Sequence, residues 1–157
     1  MIKVGDKIPS VGISTVLGGD TKTISTDDFF AGKKVVMFAL PGAFTPTCSA
    51  SHLPGYVVKA DEIYAHGVDV IACLSVNDSF VMKAWAEVQN ADRITMVADG
   101  GAELSKAIGL HMETGAFGGT RSQRYAMIVE DGVVTALNVE QPKTFEVSSA
   151  ETILQLL

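Results

Sequence analysis

The chain has 157 residues, of which 47% are hydrophobic, and its formal net charge is −6. This length suits one domain with a sizeable core, and we therefore predict a single domain over residues 1–157. The acidic balance argues against nucleic acid or an anionic membrane as the main partner, because both demand a basic face. The amino-terminal residues lack a long apolar segment, so we expect a soluble, cytoplasmic protein.

Strand and helix patterns alternate along the chain, which predicts an α/β layer fold. Near the amino terminus, Gly18-Gly19-Asp20 indicates a hairpin within an irregular portion. Short apolar runs then predict strands at about residues 34–40, 68–75, 94–98, 124–130 and 133–139. Asp131-Gly132 should join the last two strands by a tight turn.

Helices are expected in the gaps between these strands, at about residues 45–65, 78–89 and 102–108. A terminal helix should begin at Ser148, because Ser148-Ser149-Ala150-Glu151 has the Ser-x-x-Glu pattern of a capping box. Strands and helices thus alternate over most of the chain.

The segment from Pro41 to Ser49 reads Pro-Gly-Ala-Phe-Thr-Pro-Thr-Cys-Ser and follows the first predicted apolar strand. In open α/β sheets, ligands bind outside the carboxyl ends of the strands, where this segment would lie. Thr45 is a good N-cap residue and Pro46 suits the first helical position, which puts Cys48 third. The unpaired N–H groups and the helix dipole favour an anion there. We therefore predict a reactive thiolate at Cys48, the alternative being a buried structural cysteine.

These nine residues resemble the peroxidatic-cysteine loop of the peroxiredoxin family, in particular its Prx5-like (type II) branch. The similarity extends through His52-Leu53-Pro54-Gly55-Tyr56, residues 73–85 and residues 124–132, and so covers nearly the whole chain. The resemblance implies a thioredoxin-like fold with an amino-terminal extension, in which a central mixed β-sheet is flanked by helices. It also implies reduction of hydrogen peroxide and organic hydroperoxides by a thiolate, with an external thiol and no bound cofactor.

The resemblance implies catalytic roles for four residues. Cys48 would attack the peroxide and become a sulfenic acid. A strand-start arginine is ordinarily a solvated charge, but Arg124 matches the family's active-site arginine and would hold the thiolate and hydrogen-bond the peroxide. Thr45 would cap the helix while its hydroxyl faces the thiolate and the peroxide. Pro41 would shape the loop and shield the sulfur from water.

His52 stands four residues after Cys48 and therefore on the same face of the expected helix. A cysteine and histidine pair would suit a cysteine hydrolase, but an imidazole one turn along the helix is poorly aimed to act as base for that thiol. The resembled family keeps a histidine here without making it the base. We expect His52 to support the site by packing or hydrogen bonding.

Cys73 lies in a buried-looking strand, where cysteine often serves as a small apolar side chain. Plant members of the resembled branch carry a second cysteine at the same separation of 25 residues (73 minus 48). Animal members place their resolving cysteine in the carboxy-terminal region, where this chain has Ser148. We therefore favour a one-cysteine cycle in which glutathione or glutaredoxin reduces the oxidised Cys48. The alternative is a Cys48 to Cys73 disulfide, reduced by thioredoxin.

Other functional classes fit the sequence less well. A dithiol oxidoreductase would have Cys-x-x-Cys at the helix start, whereas Thr45-Pro46-Thr47-Cys48 has only the second cysteine. The two cysteines and three histidines show no zinc spacing, and no nucleotide-binding glycine motif is present, so we expect no metal and no nucleotide. A redox relay or binding role without peroxide clearance stays open.

Three phenylalanines, Phe44, Phe80 and Phe117, are candidates for the rim of the active site and for the homodimer contact that the resemblance implies. Ordinary core packing accounts equally well for Phe44 and Phe80. Phe117 lies in the glycine-rich segment 115–119, for which a plain surface loop is an equally good interpretation. Arg121, close by in sequence, is expected at the surface.

Overall fold

The computed structural model describes all 157 residues, which form nine strands and five α-helices. The strands are β1 (Gly12–Leu17), β2 (Asp20–Ser25), β3 (Lys34–Ala39), β4 (Val70–Ser75), β5 (Thr95–Ala98), β6 (His111–Glu113), β7 (Thr120–Ser122), β8 (Tyr125–Glu130) and β9 (Val133–Val139). The helices are α1 (Thr26–Phe30), α2 (Leu53–Ala65), α3 (Ser79–Val88), α4 (Glu103–Ala107) and α5 (Ala150–Leu154).

Seven strands form one mixed sheet in the order β2-β1-β5-β4-β3-β8-β9. The three apolar strands β3, β4 and β5 are parallel, whereas β1 and β8 run antiparallel to their neighbours. Apolar residues of α2, α3 and α5 cover one face of the sheet, and those of α1 and α4 cover the other. Because both faces are covered, the central strands are buried, as their continuous apolar runs predict. No helix has the length and apolar composition that crossing a membrane requires.

Both predicted hairpins are confirmed. β1 and β2 are joined at the Gly18-Gly19 turn, and β8 and β9 are joined by Asp131 and Gly132, whose φ angles of 48° and 81° suit a tight hairpin turn. The patterns missed α1 and the small β6–β7 ladder, because elements of three to five residues are too short to show a period.

The helix that carries Cys48 begins at Pro46 but is not the uninterrupted α-helix that the sequence suggests. Residues Cys48–His52 form a π-helical turn, in which the Leu53 N–H donates to the Cys48 carbonyl, and the α-helical part follows as α2. Pro54 explains the irregularity, because its ring has no N–H and would clash with the carbonyl four residues earlier in a regular helix. Single π-helical turns are frequent at functional sites.

The predicted start of the terminal helix is wrong by one residue. Ser149, not Ser148, caps α5, and its side chain accepts a hydrogen bond from the Thr152 N–H. The Ser148 hydroxyl is engaged elsewhere, because it donates to the carboxylate of Glu140 at 2.7 Å. Where two serines are adjacent, the sequence does not show which of them caps the helix and which one hydrogen-bonds to a residue elsewhere in the chain.

The packing of β3 against α2 lies under the helix that carries Cys48 within the apolar core, and we expect it to contribute much of the stability of this region. Phe38 is fully buried and stacks on Tyr56 with ring centroids 3.8 Å apart. Replacing Phe38 with alanine should lower the free energy of unfolding by about 3–5 kcal/mol, because the change leaves a cavity. Urea denaturation measures the loss. Val58, an exposed residue of α2, supplies the control, since Val58→Ala should change the free energy of unfolding by less than about 0.5 kcal/mol.

Candidate active site

The loop between β3 and the Cys48 helix lies at the carboxyl edge of the parallel strands and is anchored there by Asn77. The Asn77 side-chain oxygen accepts hydrogen bonds from the Ala43 N–H at 3.0 Å and from the Ser75 hydroxyl at 2.6 Å. Phe44 has a φ of 62°, an uncommon value for a residue other than glycine. Asn77 thus ties the loop to the end of β4, an attachment that the sequence did not indicate.

Cys48 and Arg124 meet at this edge although 76 residues separate them in the chain. The Cys48 side chain is buried, and its Sγ accepts a hydrogen bond from Nη2 of the half-buried Arg124 at 3.1 Å. The guanidinium forms no ion pair with a carboxylate, the salt bridges of the chain lying elsewhere. Its positive charge is therefore available to a sulfur anion and to a bound oxygen.

His52 holds the other arm of the same guanidinium. Arg124 Nη1 lies 2.7 Å from His52 Nδ1, and His52 Nε2 lies 3.0 Å from the carbonyl oxygen of Ser148. An arginine can only donate and a carbonyl can only accept, so His52 carries its proton on Nε2 and accepts at Nδ1. The imidazole is thus directed at Arg124 and not at the Cys48 sulfur.

His52 is also held neutral. Burial first and the charge of Arg124 second lower the pKa of His52 to about 3, although the Ser148 carbonyl and Glu140 act in the opposite direction. A neutral imidazole beside an arginine can accept its hydrogen bond without repelling it. His52 is buried and bonds to Arg124 and not to the sulfur, and its supporting role stays a prediction.

A segment near the carboxy terminus, residues 144–148, completes the site, and sequence reasoning missed it. Its Phe145 ring packs against His52 with centroids 4.9 Å apart, and the guanidinium carbon of Arg124 lies 5.8 Å from the same ring. Its Ser148 carbonyl accepts from His52 and also from the Tyr56 hydroxyl at 2.9 Å. No local pattern in the segment points to these contacts, because all of its partners are distant in sequence.

Thr45 and Pro41 lie in the loop as expected, but the Thr45 hydroxyl does not cap the helix. It donates to the Gly42 carbonyl at 2.7 Å, while the Thr45 carbonyl accepts from the Ser49 N–H as that of an N-cap residue does. Because the Thr45 hydroxyl donates its hydrogen bond to the Gly42 carbonyl, the lone pairs of the Thr45 oxygen are free to accept a hydrogen bond from another donor. Pro41 is half-buried where the chain leaves the sheet.

Cys73 lies on β4 and is fully buried in the same apolar cluster as Cys48, and both cysteines are free thiols. Burial first and the charge of Cys48 second raise the pKa of Cys73, although Arg124 acts in the opposite direction. The thiolate of Cys73 is therefore disfavoured in the folded chain.

The three candidate phenylalanines are all exposed, with exposed fractions of 53% for Phe44, 83% for Phe80 and 78% for Phe117. Ordinary core packing is thus wrong for Phe44 and Phe80. Arg121 is not a free surface residue either, because it is half-buried and its Nη1 donates to the Val76 carbonyl at 3.2 Å. A Cβ on Gly118 would clash with the Arg121 side chain, so the loop packs closely on it.

Comparison with known proteins identifies the family of the chain. A model of the Redoxin family matches residues 3–154. Peroxiredoxin-2E-2, a chloroplastic protein of Oryza sativa subsp. japonica, is 48% identical over 99% of this chain and 72% of its own length. Peroxiredoxin-2D of Arabidopsis thaliana is 46% identical over 99% of this chain and 98% of its own. The crystal structure of reduced Prx3 from Vibrio vulnificus in complex with H2O2 superimposes with a TM-score of 0.95 at 60% identity, covering 99% of this chain and 96% of that one.

The chain therefore belongs to the peroxiredoxin family, and its relatives are consistent with the Prx5-like, type II branch. Its fold is the thioredoxin-like α/β fold, with a mixed central sheet flanked by helices. As a member of this family it is a thiol peroxidase that works through a peroxidatic cysteine.

The low pKa of His52 predicts that acid weakens the fold. Unfolding restores a pKa near 6.5, so between about pH 6.5 and about pH 3 the unfolded chain binds a proton that the folded chain does not. As the pH is lowered through this window, the free energy of unfolding should decrease by up to about 1.4 kcal/mol per pH unit. Urea unfolding near pH 7 and near pH 5 measures the effect. His52→Gln keeps a donor and an acceptor but does not titrate, so an equal acid loss in this variant would contradict the assignment.

Proposed function

We propose that Cys48 is the peroxidatic cysteine and that this chain reduces hydrogen peroxide and alkyl hydroperoxides. The observation that carries the proposal is the hydrogen bond from Arg124 Nη2 to the Cys48 Sγ at 3.1 Å. A fixed guanidinium in a largely buried site stabilises the thiolate and the charge that develops on the peroxide oxygens. The complex of the Vibrio vulnificus relative with H2O2 supports the same substrate here.

The reaction follows from these donors and acceptors. The Cys48 thiolate attacks the terminal peroxide oxygen, an S–O bond forms as the O–O bond breaks, and the sulfur becomes a sulfenic acid. The leaving hydroxide or alkoxide takes a proton from solvent to become water or an alcohol. Arg124 stabilises the negative charge of this leaving oxygen. The lone pairs of the Thr45 hydroxyl accept a hydrogen bond from the attacked oxygen, since that hydroxyl donates its own hydrogen bond to the Gly42 carbonyl. Pro41 helps to exclude water.

An external thiol completes the cycle. A first glutathione condenses with the sulfenic acid, which releases water and forms a mixed disulfide. A second thiol, from glutathione or glutaredoxin, attacks the glutathione sulfur and restores the Cys48 thiolate. The complete burial and the raised pKa of Cys73 favour this one-cysteine cycle, because attack on the oxidised sulfur requires a thiolate.

Reduction by thioredoxin through a Cys48 to Cys73 disulfide is the second candidate. The presence of both thiols in one apolar cluster favours it. The disulfide would require local unfolding of the helix start, so that Cys48 could move toward β4.

A homodimer is part of the proposal. The Arg121 side chain lies against Gly42, Val76 and Gly118. Each of these residues is close in sequence to one of the exposed phenylalanines, which are Phe44, Phe80 and Phe117 respectively. Exposed aromatic rings near an active-site loop are typical of a contact between protomers. Cytoplasmic location and the absence of a bound cofactor stay predictions from the sequence.

Loss of the Cys48 thiol should abolish the reaction. Stopped-flow mixing with hydrogen peroxide can follow the single tryptophan, Trp85, whose Nε1 donates to Ser49 beside Cys48. Cys48→Ser should consume no peroxide, and Arg124→Lys should react about 10²–10³-fold more slowly, because an ammonium cannot reproduce the fork. Arg93→Lys, at an exposed ion pair, is the control. Peroxide consumption by Cys48→Ser at the wild-type rate would overturn the proposal.

The role of Cys73 has a separate test. Cys73→Ala removes the thiol without placing a hydroxyl in an apolar cluster, and steady turnover of peroxide with glutathione and glutaredoxin should survive within about twofold. Collapse of turnover in this variant, with a Cys48 to Cys73 disulfide in the oxidised wild type, would favour the thioredoxin-dependent cycle. Partner mixed disulfides without steady peroxide consumption by any thiol donor would indicate a relay instead.

A further inference from the structure

Glu140 follows β9 and lies outside the helix that carries Cys48, yet it bonds both to Arg124 and to the segment that contacts His52. Its backbone N–H donates to the backbone carbonyl of Arg124 at 3.0 Å. We propose that Glu140 is a positioning residue for peroxide reduction, which holds Arg124 and His52 in place through residues 144–148. The inference rests on the proposed function, because it concerns the reactivity of Cys48.

The Glu140 carboxylate binds segment 144–148 through three backbone N–H groups, whose directions are fixed, and through two hydroxyls. It accepts from the backbone N–H groups of Glu146, Val147 and Ser148 at 2.8–2.9 Å, and from the hydroxyls of Ser148 at 2.7 Å and Thr144 at 3.0 Å. These bonds fold the segment around one buried side chain. The position of the Ser148 carbonyl is therefore set by Glu140.

That carbonyl is the acceptor on which the orientation of His52 depends. It accepts from His52 Nε2 at 3.0 Å and from the Tyr56 hydroxyl at 2.9 Å, and the same segment places the Phe145 ring against His52 and Arg124. If the segment moved, His52 would lose its acceptor and could rotate or change tautomer. Arg124 Nη1 would then lose the lone pair that holds the guanidinium fork against the sulfur.

An ionised carboxylate suits this position, because three of its partners are backbone N–H groups, which can only donate. Burial opposes the charge, but the hydrogen bonds from Ser148, Glu146 and Val147 outweigh it and lower the pKa of Glu140 to about 2. A glutamine of the same shape would carry no charge and would turn its NH2 group toward at least the Glu146 N–H, so its hydrogen bonds to the segment would be weaker. The Glu140→Gln variant therefore perturbs the segment with little change in volume.

The experiment compares Glu140→Gln with Glu151→Gln in the full chain. Both remove one negative charge near the carboxy terminus, but Glu151 is exposed on α5 and lies outside segment 144–148. Stopped-flow kinetics give the rate constant with hydrogen peroxide, and 15N NMR of the imidazole reports the tautomer of His52. Glu140→Gln should react about 10–100-fold more slowly and lose the single Nε2–H tautomer, whereas Glu151→Gln should match the wild type.

Two results would overturn the inference. One is a wild-type rate constant in Glu140→Gln. The other is a lowered melting temperature with an unchanged His52 spectrum, which would show that Glu140 only stabilises the segment. If Glu140→Gln does not fold, Ser148→Ala is the second variant, because it removes one hydroxyl donor to Glu140 and keeps the backbone carbonyl. We expect Ser148→Ala to react a few-fold more slowly, and an unchanged rate constant would overturn the inference. Cys48→Ser in the same assay keeps the two proposals separate, because peroxide consumption by that variant would count against Cys48 and not against Glu140.

Discussion

The position of one guanidinium is the constraint on which the rest of the site depends. Arg124 donates through Nη2 to the Cys48 sulfur and through Nη1 to His52, so its planar fork is fixed at both arms. Arginine suits this arrangement because its donors have a rigid geometry, whereas a lysine ammonium would rotate freely. Preorganised charge of this kind stabilises a transition state without further reorganisation.

The choice of a neutral histidine as the second partner follows from the same requirement. A carboxylate in the place of His52 would hold Arg124 equally well but would neutralise the charge that the thiolate needs. Burial keeps the imidazole neutral, and the Ser148 carbonyl orients it with its lone pair toward Arg124. The negative charge that organises this region, Glu140, instead lies among backbone N–H groups and forms no ion pair with Arg124.

The fold brings these groups together at one edge of the sheet. The loop after β3 leads into the helix that carries Cys48. Arg124 directly precedes β8, and residues 144–148 follow β9, which neighbours β8 in the sheet. Strand β8 runs antiparallel to β3, so its start lies beside the end of β3 where the Cys48 loop begins. Asn77 fixes this loop to the end of β4. The side chains of Trp85 on α3 and of Gln89, which directly follows α3, donate to Ser49 in the π-helical turn. Residues from five parts of the chain thus support one sulfur atom.

The sequence by itself determined the elements and residues whose signals are local. Apolar runs placed the central strands, Asp131-Gly132 placed a hairpin, and the nine residues ending at Ser49 singled out Cys48 as the candidate reactive cysteine. Tertiary structure decided the tautomer of His52, the helix cap at Ser149 and the part played by Glu140. Each of these depends on which donor meets which acceptor after the chain has folded. A hydrogen-bonding side chain has many possible partners in a sequence, and packing selects among them.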